Sequence, residues 1–131
     1  MKAAAARWAV FIGVGSAAAA VHLATVKGLV EAAGWPPLAG NICGWLLAFG
    51  VSFTGHQRLT FAEQGAPQSR ALRRFFIVSA LGFVANEAAY AALLAYTRLP
   101  YDAALVLVLL GVAVLTYLSS RHWAFLGSRA R

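Results

Sequence analysis

The chain has 131 residues, of which 61% are hydrophobic and 11% are charged, and its formal net charge is +7. A water-soluble domain of this length cannot bury that much apolar surface, so the composition excludes an ordinary soluble protein and indicates an integral membrane protein. The single cysteine, Cys43, excludes an internal disulfide.

Four long apolar segments follow one another along the chain. Each is close to the roughly 20 residues that a helix needs to cross a bilayer, and none shows the alternation typical of strands. The sequence therefore predicts an all-α integral membrane protein of four transmembrane helices in a single domain, residues 1–131. The predicted spans are 8–30, 36–55, 74–97 and 102–120.

Short proline-containing segments separate the first span from the second and the third from the fourth. Pro36 and Pro37 follow the first span, and Pro100 follows the third. Because proline ends one helix and favours the start of the next, both segments are predicted to be tight hairpin turns. The connection between the second and third spans, 56–74, is longer and polar.

The basic residues are distributed unequally between the two ends of the spans. Only Lys27 and Arg98 of the 11 Lys and Arg residues lie at the end that carries the hairpin turns. The others are Lys2, Arg7, Arg58, Arg70, Arg73, Arg74, Arg121, Arg129 and Arg131. The positive-inside rule therefore places both termini and the middle connection in the cytoplasm. This distribution also explains the basic charge without a nucleic-acid partner.

An internal repeat relates the two halves of the chain. A shift of 64 residues places Phe11 on Phe75 and Pro36 on Pro100 without a gap. The predicted repeats, 7–61 and 71–125, each contain two spans, so the two hairpins are expected to be parallel, related by an axis along the membrane normal. Such a duplication often places a shared site between its halves. The alternative is that it only builds a stable four-helix unit.

Four short motifs resemble those of the GtrA-like family of small four-span membrane proteins. They are Arg7 with FIGVG at 11–15, HQRLTF at 56–61, RRFFIV at 73–78, and SRHWAF at 120–125. The resemblance covers about Arg7 to Phe125 and includes the order and spacing of the motifs. It departs at 52–55, SFTG, where the family often has Asn before the exit Arg.

The resemblance implies a role in cell-surface polysaccharide synthesis. Family members are thought to move, or help to move, polyprenyl-phosphate-linked sugars across the cytoplasmic (inner) membrane. Similar modules are fused to polyprenyl-phosphate glycosyltransferases, so a membrane glycosyltransferase is an expected partner. Four helices barely enclose a sugar headgroup, so a homodimer is expected if the protein transports alone.

An intramembrane polar site is predicted around Glu87. An ionised carboxylate within a span must be paired, protonated or hydrated. Asn86 is adjacent to Glu87, Tyr90 lies one turn further along, and the shift of 64 residues aligns His22 with Asn86. We predict a site of His22, Asn86, Glu87 and Tyr90, in which His22 contacts Glu87 across the two halves. The alternative is an interhelical hydrogen bond that only fixes packing.

Small residues recur at every fourth position of the second span. They are Gly40, Gly44, Ala48 and Ser52. This pattern predicts a close helix contact, either between the two hairpins or between two protomers.

A set of arginines is predicted to bind the phosphate of a lipid headgroup. Arg58 and Arg121 follow the second and fourth spans, and Arg73 and Arg74 precede the third. Guanidinium groups bind phosphate in a bidentate manner. The alternative is that these residues only determine topology.

The sequence shows no motif for catalysis. It contains no nucleophile–base pair, metal-ligand cluster or Gly-rich phosphate loop, so we expect neither an enzyme nor a bound metal or cofactor. Two alternatives to lipid-linked sugar translocation stay open. One is a small multidrug-type, proton-coupled exporter, a class that also has four short spans and an embedded carboxylate. The other is a non-transporting anchor that recruits a glycosyltransferase.

Overall fold

The computed structural model describes the backbone of residues 1–60 and 68–127, and their side chains except those of residues 4, 7, 60, 68, 71 and 116–127. The described backbone contains four long helices and no strand. The helices are α1 (Lys2–Ala33), α2 (Pro37–Gly55), α3 (Gln68–Tyr96) and α4 (Tyr101–Gly127), and a π-helical turn (His56–Thr60) continues α2.

The helices have the composition of membrane spans. Three segments of the described chain are long and apolar enough to cross a bilayer, Trp8–Ala33, Pro37–Leu59 and Leu72–Tyr96, and α4 contributes a shorter apolar segment, Tyr101–Leu115. Many large apolar side chains on these helices are exposed, which is unfavourable in water but expected where lipid is the solvent. The prediction of an all-helical, multi-pass membrane protein is therefore confirmed at this level.

Both helical hairpins close through short turns whose chemistry explains where the helices end. Gly34 ends α1 with φ 69°, a left-handed conformation that glycine adopts without strain, and its N–H donates to the Leu29 carbonyl. Pro36 is extended and Pro37 begins α2. The second turn ends in the same way at Pro100, whose carbonyl accepts from the Ala104 N–H at 3.0 Å. We call the end of the bundle that contains these two turns the hairpin-turn end.

The small residues of α2 allow it to approach α1 closely. A Cβ atom on Gly44 would lie 2.7 Å from Cδ2 and 2.9 Å from the carbonyl oxygen of His22. A Cβ on Gly40 would lie 3.7 Å from Val26, an ordinary contact distance. Ala48 is also buried. The small face of α2 therefore lies against α1 within the first hairpin, whereas we expected it between the two hairpins or between two protomers.

Two further clusters hold the second hairpin against the first. A buried apolar core at the hairpin-turn end joins α1, α3 and α4. Its fully or almost fully buried members are Val26, Tyr90, Ala104, Leu105 and Val108.

Aromatic side chains fill the contact between α2 and α3. The Trp45 and Phe83 rings are stacked with centroids 4.7 Å apart, and the Trp45 indole N–H donates to Ser79 Oγ at 2.9 Å. Phe49 lies 5.4–5.5 Å from the rings of Phe75 and Phe76. Such pairs stabilise a contact beyond their apolar area, so α2 and α3 form a well-packed seam.

Candidate functional site

A hydrogen-bonded polar network joins three helices inside the membrane-crossing segments. His22 in α1 shares a hydrogen bond of 2.6 Å, through Nε2, with Asn41 Oδ1 in α2. The amide nitrogen of Asn41 donates to two acceptors in α3, Asn86 Oδ1 at 2.9 Å and Glu87 Oε2 at 2.5 Å. Asn41 is therefore the hub of the network, and it connects the first hairpin to the second.

The amide of Asn41 uses all of its polar atoms in this arrangement. Its oxygen accepts one hydrogen bond and its two N–H hydrogens serve one acceptor each, so the Nε2 atom of His22 must be the donor toward it. His22 and Asn86 are each 5% exposed and Asn41 is 0% exposed. No buried polar side-chain atom in the described part of the chain lacks a partner. The network is therefore satisfied internally, as a buried polar group in lipid requires.

The structure brings together three of the four residues predicted for the intramembrane site. His22, Asn86 and Glu87 all contact Asn41, so the link between His22 and Glu87 runs through this amide instead of the direct contact that we expected. Tyr90 lies one turn along α3, in the apolar core, and its hydroxyl donates to the Tyr101 carbonyl at 3.0 Å. Tyr90 thus ties α3 to the start of α4.

Sequence reasoning missed Asn41. The signal was a neutral amide within an otherwise apolar span, and such groups commonly form hydrogen bonds between membrane helices. Its position near the start of α2, close to the predicted turn, gave no indication that it would face His22.

Close approach of the backbones makes the His22–Asn41 contact possible. Gly44 follows Asn41 by three residues, on the same face of α2, and leaves room for the His22 ring and carbonyl. A larger residue there would push α1 away from α2 at the level of the network. The glycine is therefore part of the construction of the site, although it carries no polar group.

The predicted phosphate-binding arginines lie at the other end of the bundle. Arg58 is exposed in the π-helical turn, and Arg73 and Arg74 are exposed near the start of α3. The Arg121 side chain lies outside the described residues. Phosphate binding by these four residues stays a prediction.

The buried His56 ring belongs to the π-helical turn that carries Arg58. It is 7% exposed and lies between two aromatic rings, with centroid distances of 4.8 Å to Phe11 in α1 and 6.2 Å to Phe75 in α3. A π-helical segment at the end of a span is a rare geometry that often occurs at functional sites. Two residues after this packed ring, Arg58 is exposed.

The described residues contain no group of three His, Cys, Asp or Glu side chains close enough together to hold a metal ion. The polar network itself offers hydrogen-bonding groups around one carboxyl group, that of Glu87.

Comparison with known proteins decides the family. The model of the GtrA/DPMS transmembrane domain matches residues 10–125. The chain belongs to this family. No curated protein and no solved structure matches the chain. For this GtrA/DPMS member, the matched range spans all four residues of the polar network, Arg58, Arg73, Arg74 and both hairpin turns.

Proposed function

We propose that this GtrA/DPMS family protein moves, or helps to move, polyprenyl-phosphate-linked sugar across the inner membrane for cell-surface polysaccharide synthesis. The observation that carries the proposal is the family match, which extends over residues 10–125. A polar network within the apolar helices adds support, because polar groups inside a membrane are costly and are commonly retained for function.

The proposal includes a topology of four spans in two parallel hairpins with both termini in the cytoplasm. Both described turns, 34–36 and 97–100, lie at one end of the bundle, because Tyr101 after the second turn contacts Glu31 before the first. The excess of basic residues at the opposite end supports the assignment of that end to the cytoplasm.

In this scheme the arginines select the lipid phosphate on the cytoplasmic side. Arg58, Arg73 and Arg74 are exposed at the ends of two apolar segments. Guanidinium groups there can form paired hydrogen bonds with phosphate oxygens. Arg121 is assigned to the same set because it occupies the matching exit motif of the second repeat. The polar network then offers hydrogen-bonding groups at the level where a sugar would cross hydrocarbon.

A second candidate function, a non-transporting anchor for a glycosyltransferase, is supported by the burial of the network. His22, Asn41 and Asn86 are almost completely enclosed and mutually satisfied. A sugar that passed through one chain would have to displace these hydrogen bonds. If the protein transports, the passage is therefore expected at a surface of the bundle or between two copies.

Reconstitution tests the proposal. The purified protein is placed in liposomes with a fluorescent polyprenyl-phosphate sugar, and the fraction of lipid accessible to a membrane-impermeant quencher is followed. We expect transfer between leaflets that depends on protein. Arg58→Glu should lower the rate at least tenfold, since it reverses a phosphate contact, whereas Arg70→Glu, an equal charge change at the same end, should leave it nearly unchanged.

Two results would contradict translocation. Failure to move any polyprenyl-phosphate lipid, together with a co-purifying glycosyltransferase, would support the anchor. Proton-driven export of lipophilic cations that is lost in Glu87→Gln would support the multidrug-type exporter.

A further inference from the structure

A second polar cluster lies at the hairpin-turn end, far along the helices from the arginines. The Lys27 ammonium in α1 is 2.8 Å from Glu31 Oε1, one turn along its own helix, and 3.4 Å from Asp102 Oδ2 in α4. The Tyr101 hydroxyl donates to Glu31 Oε1 at 2.6 Å. Two polar contacts therefore join the first helix to the last, and neither is used by the function proposed above.

An open groove of about 490 Å³ runs between α1 and α4 beside this cluster. Its lining residues are Leu23, Lys27, Asp102, Ala103, Val106 and Leu107. Both charged residues lie at the end of the groove that faces the hairpin turns, because Leu23 is one turn deeper than Lys27 and Val106 is one turn deeper than Asp102. The groove is therefore charged at the membrane surface and apolar toward the bilayer centre.

A groove that is charged at one end and apolar along the rest matches the headgroup and the chain of a lipid lying parallel to the helices. Lys27 is six residues before Ala33, the last residue of α1, which is about 9 Å along the helix axis. A lysine at that depth reaches the headgroup level with its ammonium while its methylenes cover apolar surface. A phosphate beside Lys27 would leave an attached hydrocarbon chain along Leu23 and Val106.

The contact between Lys27 and Asp102 is one in which another anion can replace the carboxylate. At 3.4 Å it is longer than a charge-assisted hydrogen bond, which is about 2.7–2.9 Å. Asp102 has a second partner, since its Oδ1 accepts from the Ala103 N–H at 2.8 Å in the first turn of α4. If a phosphate replaced Asp102 at Lys27, the carboxylate would keep this backbone partner and the positive end of the helix dipole.

We propose that this groove is a second lipid-phosphate site, at the opposite membrane surface from the arginines, where the phosphate of a single-chain polyprenyl lipid replaces Asp102 as the partner of Lys27. The assignment of the lipid rests on the proposed function. A single hydrocarbon chain is the occupant because the groove lies between just two helices and has one apolar strip. A lipid that changes leaflets needs a phosphate partner at each surface, and this site supplies the second.

The proposal predicts effects of opposite sign for the two members of the ion pair. Lys27→Gln removes the phosphate partner and should weaken binding, whereas Asp102→Asn removes one of the two carboxylates that compete for Lys27, the other being Glu31, and should strengthen it. A contact that only holds α1 against α4 would lose strength in both variants. The two substitutions therefore separate a ligand site from a structural bridge.

The experiment measures binding of a long-chain polyprenyl phosphate to the full chain in detergent micelles by native mass spectrometry, with the corresponding polyprenol as the phosphate-free control. We expect Lys27→Gln to bind the phosphate about tenfold more weakly, Lys27→Arg to bind it nearly as tightly as the parent, and Asp102→Asn to bind it about threefold more tightly. Polyprenol binding should be the same in all variants.

Several outcomes would overturn the inference. They are unchanged phosphate-lipid binding in Lys27→Gln, weaker binding in Asp102→Asn, and a Lys27-dependent preference for the two-chain lipid phosphatidylglycerol. If Lys27→Gln fails to fold, the change in phosphate-lipid affinity in Lys27→Arg and in Asp102→Asn still distinguishes a ligand site from a structural bridge. The outcome is separable from the proposed function, because Lys27-dependent binding without transfer between leaflets supports this site and contradicts translocation. Transfer of lipid between leaflets that depends on Arg58 but not on Lys27 supports translocation and contradicts this site.

Discussion

Replacement of the network hub, Asn41→Ala, should destabilise the bundle strongly. The substitution removes three hydrogen bonds between helices, one to His22, one to Asn86 and one to Glu87. Measured bonds of this kind in membranes average about 0.6 kcal/mol and reach about 1.7 kcal/mol, so their sum is about 2–5 kcal/mol. We expect the upper part of this range, because His22 and Asn86 are too deeply buried for water to replace the lost partner.

The assay is reversible unfolding in mixed micelles, followed by circular dichroism as the fraction of sodium dodecyl sulfate is raised. Thr25→Val is the matched control, since the Thr25 hydroxyl bonds only the Val21 carbonyl of its own helix, at 2.7 Å. We expect this control to change the free energy of unfolding by less than about 0.5 kcal/mol. If Asn41→Ala has an effect as small as Thr25→Val, the network does not hold the helices together and the reasoning is refuted.

Two further variants can be measured in the same assay. Gly44→Ala would place a methyl group within 3 Å of His22 and should cost about 1–3 kcal/mol through overpacking. Gly40→Ala, with 3.7 Å of space, should cost much less, and equal effects would show that close approach at Gly44 is unimportant. Tyr90→Phe keeps the ring in the core but removes the 3.0 Å bond to the Tyr101 carbonyl, which should cost about 1 kcal/mol. No measurable loss would mean that this bond does not secure α4.

The sequence predicted the features that follow from the cost of polar groups in lipid. The apolar segments indicated helices because no other open structure satisfies its backbone in a membrane. Pro36 and Pro100 marked the turns because they cannot continue a preceding helix. Glu87 marked the region of the polar site because a carboxylate within a span requires a partner.

The sequence could not predict how one helix is rotated and shifted against another. The small face of α2 was evident, but its contact with α1 depends on a register that places Gly44 beside His22. The same register brings Asn41 to His22. The sequence therefore predicted neither Asn41 as the hub of the network nor α1 as the helix that the glycines contact. Lys27 and Asp102 are 75 residues apart in the chain, and their proximity likewise depends on how α1 packs against α4.

The predicted repeat gives the polar network a simple geometric explanation. His22 in α1 and Asn86 in α3 are related by the shift of 64 residues. Both contact Asn41, although their helices belong to different hairpins. Positions that match in the predicted repeat thus contact one residue of α2, while the repeat itself stays a prediction.

The same relation holds for the apolar core, with a different chemical outcome. Val26 and Tyr90 are also 64 residues apart, and both belong to the core cluster with Leu105 of α4, the position that matches Asn41. The α2 position therefore carries an amide, Asn41, and the matching α4 position carries a leucine, Leu105. Since a buried amide needs polar neighbours and a leucine does not, polar groups surround Asn41 in α2, whereas apolar side chains surround Leu105 in α4. The polar contacts of the α1–α4 seam, Lys27–Asp102 and Tyr101–Glu31, involve partly exposed side chains that water can solvate when they separate, whereas Asn41 is fully buried. If the two hairpins move against each other, the α1–α4 seam beside the Lys27 groove is therefore the side expected to open.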